Sequence, residues 1–237
     1  MNPLDPLFDG LDHWRHLPAY PIKDFTSIFF SAYLPEVIRE FTGVPVSAQM
    51  IPELPIKRDL IKQKHRSNQS MKIDYCLFSE DKSRVFFVAL KPDMKQRQDA
   101  QAHYLENASE IGFKAVLEGI KQIALATKGH HRYAHLLAAL AHHGCVQLPE
   151  DLMENLYPEA TPELRARQKD IKVLAGDREI EVIFIQPETG PGHTIDFETF
   201  AAIVDRHDDP VSKRFAESLR KWAVPAASMQ PASPADG

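Results

Sequence analysis

The stretch 72–91, KIDYCLFSEDKSRVFFVALK, constrains the fold more than any other part of the chain. Two runs rich in β-branched and aromatic residues, 72–78 and 84–91, flank the polar Ser79-Glu80-Asp81-Lys82-Ser83, which predicts two strands joined by a turn. Pleating then puts Val85, Phe87, Ala89 and Lys91 on one face of the second strand and Phe86, Val88 and Leu90 on the other. A strand apolar on both faces belongs inside a sheet covered on both sides. Two charges interrupt the pair: Asp74 within the first strand and Lys91 at the end of the second. An ammonium removed from water needs a carboxylate, phosphate or metal-site partner. Asp74 on the adjacent strand is a candidate; the plainer alternative is a structural ion pair at the sheet edge.

The surrounding chain reads as an α/β protein. Phe29, Phe30, Tyr33, Val37, Ile38 and Phe41 recur at helical spacing from Phe25 onward, with Gly43 as a stop and Pro35 expected to break or kink the helix. Helical patterns follow from beyond Pro92 to about Glu110, over 113–127 and over 131–143, the last two apolar enough to pack on a sheet. A strand is predicted at 179–186 and helices at 196–206 and 211–222. Residues 148–168 read as short helices broken by Pro158 and Pro162. Pro3, Pro6, Pro18 and Pro21 argue for an extended arm over 1–24 that packs its apolar residues on the domain. The expected organisation is that arm, a single α/β domain over 25–222 with a central mixed sheet flanked by helices and extra C-terminal helices, and a disordered tail over 223–237.

Composition narrows the function classes. With 28 Lys+Arg against 33 Asp+Glu the net charge is -5, which excludes a globally basic coat protein. The cations are nonetheless uneven: Lys57, Arg58, Lys62, Lys64, Arg66 and Lys72 face only Asp59 within 57–72. That segment is either a solvated loop or a loop that contacts phosphates. No apolar run approaches the roughly 20 residues a bilayer span requires, so no membrane partner is expected. Cys76 and Cys145 form no metal-type or disulfide pattern, and the first residues lack a secretory signal, so a cytoplasmic protein is expected.

The segment from Lys72 to Asp93 resembles the core of the PD-(D/E)XK nuclease superfamily, whose fold is restriction-endonuclease-like. That pattern has an aspartate on one strand and, one hairpin later, an acid, a variable residue and a lysine. Asp74 matches the first acid, Leu90 the variable position and Lys91 the lysine, whereas the second acid falls on Ala89. The following helix carries Gln101 and Tyr104, similar to a glutamine and tyrosine of the RecB-type and Cas4-type branch, at a spacing one residue shorter. The preceding helix offers Glu36 and Glu40, and many members use a glutamate from that helix.

The resemblance implies Mg²⁺- or Mn²⁺-dependent hydrolysis of nucleic-acid phosphodiesters, DNA before RNA by family prevalence. Asp74, the acid missing at Ala89, the Leu90 carbonyl and Glu36 or Glu40 would hold metal. Lys91 would orient or help deprotonate the attacking water and offset developing charge, with Gln101 and Tyr104 orienting substrate or supporting Lys91. Lys57, Arg58, Lys62, Lys64, Arg66 and Lys72 would hold the nucleic-acid backbone. A homodimer is common among nucleases that cut both strands. Three accounts of Ala89 stand open: an introduced replacement, a natural loss that leaves a nucleic-acid-binding or protein-interaction module, or a carboxylate that has migrated to Asp93 or Glu36. The loss of one carboxylate from the pair predicts that the chain cleaves DNA weakly or not at all.

Other patterns are weaker. His131 and His135 share a helix face, but His142 lies about 10 Å further along by helix rise, too far to share one ion. Cys145 with His142 or His143 lacks an orienting acid, and GPGH at 190–193 lacks the lysine of a phosphate loop and reads as a turn.

Overall fold

The computed structural model describes residues 4–17, 19–58, 70–91, 98–127, 129–150, 169–174, 176 and 178–223, without the side chains of 98–101, 130 and 131. It is an α/β protein with a five-stranded mixed sheet flanked by helices. In chain order the elements are α1 (Leu4–Trp14), α2 (Ile22–Thr42), β1 (Ile51–Lys57), β2 (Ser70–Phe78), β3 (Arg84–Leu90), α3 (Gln98–Ile111), α4 (Phe113–Ala126), α5 (His130–His142), β4 (Val146–Gln147), β5 (Lys172–Val173), β6 (Glu179–Gln186), β7 (Thr194–Asp196), α6 (Phe197–Val204) and α7 (Pro210–Ala223). The central sheet has the order β1-β2-β3-β6-β7, and β4 and β5 pair separately. The β1–β2 and β2–β3 pairs are antiparallel and β6–β7 is parallel.

The expected hairpin forms, and its turn is built by its own polar residues. Ser79 Oγ donates to Asp81 Oδ1 at 2.5 Å, and the Ser83 N–H donates to the same oxygen at 3.0 Å. These bonds, that from Ser79 foremost, hold the Asp81 carboxyl down to about 2. Both strands are buried almost throughout, as an apolar pair inside a layered fold must be.

Two compact units can be distinguished. The first comprises the described residues of 4–43, Leu90, Lys91 and 183–223. Its core is aromatic: Phe30 meets Phe197, Phe200 and Phe215 at ring-centroid distances of 5.7, 5.1 and 5.2 Å. The second comprises the described residues of 44–89 and 98–182. There Phe113, at the start of α4, packs on Phe78 and Phe87, which occupy one face of the hairpin.

Several expectations are corrected. Residues 4–14 form a helix rather than an extended arm. Pro6 stands in the first turn, where the amide it lacks would find no intrahelical acceptor, so proline is compatible there. Phe8 and Leu11 are the buried residues of α1, and the buried Arg214 of α7 binds its acids, 2.6 Å to Asp9 and 3.1 Å to Asp12. Pro35 does not end α2, which runs unbroken from Ile22 and buries Leu34, Val37 and Ile38 around the proline. That burial offsets a cost of about 3 kcal/mol for an interior proline. Residues 51–57 form β1 despite Pro52 and Pro55; among the described residues β1 is the edge of the sheet, where proline is tolerated on the unpaired side. The region 151–168, where broken helices were expected, and residues 224–237, nearly all of the expected tail, lie outside the described residues.

Candidate active site

Asp74 and Ala89 are brought together by strand register. Tyr75 faces Val88 and Cys76 faces Phe87, so the next step of the same ladder sets Asp74 beside Ala89. Directly opposed residues of an antiparallel pair share a face, with Cβ atoms about 5 Å apart. That face also carries Cys76 and Phe78, and α4 covers it through Phe113. Asp74 is 5% exposed and Ala89 fully buried. The carboxylate therefore lies in the hairpin interior, opposite a methyl group.

A residue that pattern reading missed lies on the other flank. Glu53 stands between the Pro52–Tyr75 and Leu54–Ile73 pairs, the register position of Asp74 on β1. Its φ of 54° is uncommon for any residue but glycine, and its carboxylate binds Lys72 Nζ at 2.7 Å. Lys72 precedes Asp74 by two residues on β2 and so shares its face. The signal in the sequence is only an acid between Pro52 and Pro55, in a segment where no strand is expected.

The other candidates fall into place as follows. Lys91 and Leu90 belong to the first unit. Lys91 is 7% exposed; its Nζ lies 4.2 Å from the centre of the Phe184 ring, and its amide donates to the Ile185 carbonyl at 2.8 Å. A cation over an aromatic face is a favourable arrangement for a buried ammonium. Neither Asp74 nor Lys91 is without a partner. Glu36 and Glu40, one turn apart on α2, bind the turn after α6: Glu36 Oε2 meets His207 Nε2 at 2.7 Å, and Arg206 Nη1 donates to both oxygens of Glu40 at 2.7 and 2.6 Å. Tyr104 is buried and its hydroxyl donates to the Ile56 carbonyl at 3.0 Å, which anchors α3 to β1. Gln101 lies on α3. Lys57 donates to Gln122 Oε1 at 2.8 Å, and Arg58 is exposed. Lys62, Lys64, Arg66 and Asp93 lie outside the described residues.

The chemistry of the donor set decides how well a divalent cation fits. Mg²⁺ requires anionic oxygens in a near-octahedral shell. At the two facing hairpin positions there is one carboxylate and one methyl, and the nearest further acid by register, Glu53, is tied to Lys72. These residues do not fit a firmly held Mg²⁺. Among the described residues no group of three His, Cys, Asp or Glu is placed to hold a metal ion.

The Cys145 region has a different character. Burial pushes its thiol up to about 11, and Arg178 Nη1 donates to Sγ at 3.4 Å. A thiol so poorly ionised is not a nucleophile near neutral pH. Burial, then His142, Arg178 and Lys82, holds the His143 imidazole down to about 4, and its ring stacks on Phe78 at 4.0 Å.

Comparison with protein-family profiles, with curated proteins and with solved structures finds no match. Among the described residues no helix is long and apolar enough to cross a membrane.

Proposed function

We propose that the chain is a PD-(D/E)XK-type nuclease, a hydrolase of nucleic-acid phosphodiesters, whose Mg²⁺ or Mn²⁺ site is impaired at residue 89. DNA is the favoured substrate on the family's prevalence. The observation that carries the reading is the facing of Asp74 and Ala89 on a buried antiparallel hairpin, since these are the two places where the family pattern sets its acids. In this reading Lys91, two residues after Ala89, supplies the positive charge that meets the developing phosphorane. Lys57, Arg58 and Lys72, with Lys62, Lys64 and Arg66, contact the backbone of the nucleic acid.

The second reading is a nucleic-acid-binding module that keeps the framework without cleavage. The Ala89 methyl favours it, because loss of one carboxylate from a pair strips a hard cation of much of its affinity. Nuclease assays with Mg²⁺ and Mn²⁺ separate the two. The native chain should cleave little; Ala89→Glu should raise cleavage at least tenfold, and Lys91→Ala in that background should abolish the gain. Unchanged inactivity of Ala89→Glu on DNA and RNA supports the binding module. Vigorous Mg²⁺-dependent cleavage by the native chain would contradict the assignment of residue 89.

A further inference from the structure

A cleft of about 330 Å³ opens between the β1–β2 edge and the helices α4 and α5, within the second unit. Lys57 and Ser70, which face each other in the β1–β2 ladder, form one wall. Ile123 and Ala126 of α4 and the ring of Tyr133 on α5 supply apolar and aromatic surface, and Gln122 closes the side next to Lys57. The volume stands at the lower end of the roughly 300–1,000 Å³ of small-ligand sites, which combine apolar walls with a few placed polar groups. Lys57 supplies the cation of the lining, and it also donates to Gln122 Oε1 at 2.8 Å.

An apolar floor, an aromatic wall and a cation at the rim suit a flat base joined to a phosphate. Aliphatic ligands gain nothing from the cation, and a bare anion gains nothing from the floor. Ser70 and Asp74 lie four residues apart on β2, hence on one face and about 13 Å apart along the strand, so the cleft opens on the face that carries Asp74, at the strand end away from the α4 residue Phe113.

We propose that this cleft receives one nucleotide of single-stranded DNA, its base against Tyr133, Ile123 and Ala126 and its phosphate at Lys57. The inference rests on the nucleic-acid reading above and adds a base-binding subsite to it. Stacking on an aromatic residue corresponds to an affinity change of about fivefold to 150-fold per base.

The test is fluorescence anisotropy of a labelled 12-nucleotide mixed-sequence DNA with EDTA present, so that cleavage plays no part. Tyr133→Ala should weaken binding about tenfold, whereas Tyr133→Phe, which keeps the ring, should stay within about twofold of the native chain. Lys57→Ala should weaken binding and flatten its dependence on salt. Circular dichroism melts confirm that each variant is folded; should Tyr133→Ala fail to fold, Ala126→Trp, which fills the cleft, takes its place with the same expected loss. Native binding with no effect of any of these changes overturns the cleft and leaves the nucleic-acid reading intact. Absence of native binding to DNA or RNA overturns both. Tighter binding of an RNA 12-mer than of the DNA overturns the choice of DNA.

Discussion

Asp74 and His143 show how burial gives single residues their roles in the second unit. Asp74 is a carboxylate set among apolar strand residues, an expensive position that a fold maintains only with partners for the charge. His143 avoids a comparable cost by staying neutral, its ring stacked on Phe78 and its carbonyl accepting from Arg178 Nη2 at 3.0 Å. Its folded-state pKa of about 4 lies below the ordinary 6.5. Between these values the unfolded chain takes up the proton and the folded chain does not, so the unfolded state gains as pH falls. The stabilisation is complete above 6.5 and is lost progressively toward 4. Urea midpoints at pH 7.5 and pH 5 should therefore differ more for the native chain than for His143→Phe, which keeps the stacking and removes the titration. Equal shifts in both would place the acid sensitivity elsewhere. Arg214 plays the corresponding part in the first unit, a guanidinium bound to Asp9 and Asp12 and lying 5.5 Å from the Phe8 ring centre. Arg214→Ala removes the buried guanidinium, while Asp12 keeps Lys221 at 2.7 Å and the Trp222 indole N–H at 2.9 Å and Asp9 stays in solvent, so the change should cost about 1–2 kcal/mol in chemical denaturation.

Among the elements, those with a plain apolar period were legible, and those with an internal or early proline, α1, α2 and β1, were not. The β2–β3 hairpin, α4 and β6 were expected close to where they occur, because each shows an uninterrupted run or stripe of apolar residues between polar breaks. The differences at α1 and α2 share one cause: proline reads as a breaker, whereas Pro6 sits in a first turn and Pro35 among residues whose burial outweighs its cost. At β1, where no strand is expected, Pro52 and Pro55 stand on an edge strand. Only tertiary context distinguishes these positions from forbidding ones. Glycine was read correctly where it caps α2: Gly43 has φ 70° and its amide donates to the Arg39 carbonyl. A side chain at that left-handed position costs about 1 kcal/mol, so Gly43→Ala should lower the melting temperature by a few degrees with activity and binding unchanged. Tyr104 anchors α3 to the edge strand through Ile56, and Tyr104→Phe should cost about 1 kcal/mol. Because the hydroxyl is spent on a backbone carbonyl, the same change should leave DNA affinity within twofold, measured by anisotropy.

Across the whole molecule the average charge of -5 conceals the unevenness that matters. Six cations lie between positions 57 and 72, immediately before Asp74, and in the structure Lys57 and Lys72 flank the face on which Asp74 stands. Charge reversal at Lys62, Lys64 and Arg66 together should reduce DNA affinity and lower the slope of log K against log salt by about 3; an unchanged slope would remove this segment from the interface. The partition of the candidate residues was beyond sequence reading. The spacing between Asp74 and Lys91 predicted a shared sheet, but not that Glu36 and Glu40 would be bound to Arg206 and His207, nor that Glu53 would stand at the register of Asp74. Those outcomes depend on which distant segments meet, and a single chain's periodicity holds no record of that.

The central claim is that residue 89 is the missing half of a carboxylate pair with Asp74. Calorimetric titration with Mn²⁺ tests it without reference to any substrate. The native chain should bind Mn²⁺ weakly, Ala89→Glu should bind at least tenfold tighter at one site per chain, and Asp74→Asn in the Ala89→Glu background should return the affinity to the native level. Equal affinity of the native chain and Ala89→Glu, or a gain that survives Asp74→Asn, would contradict the account.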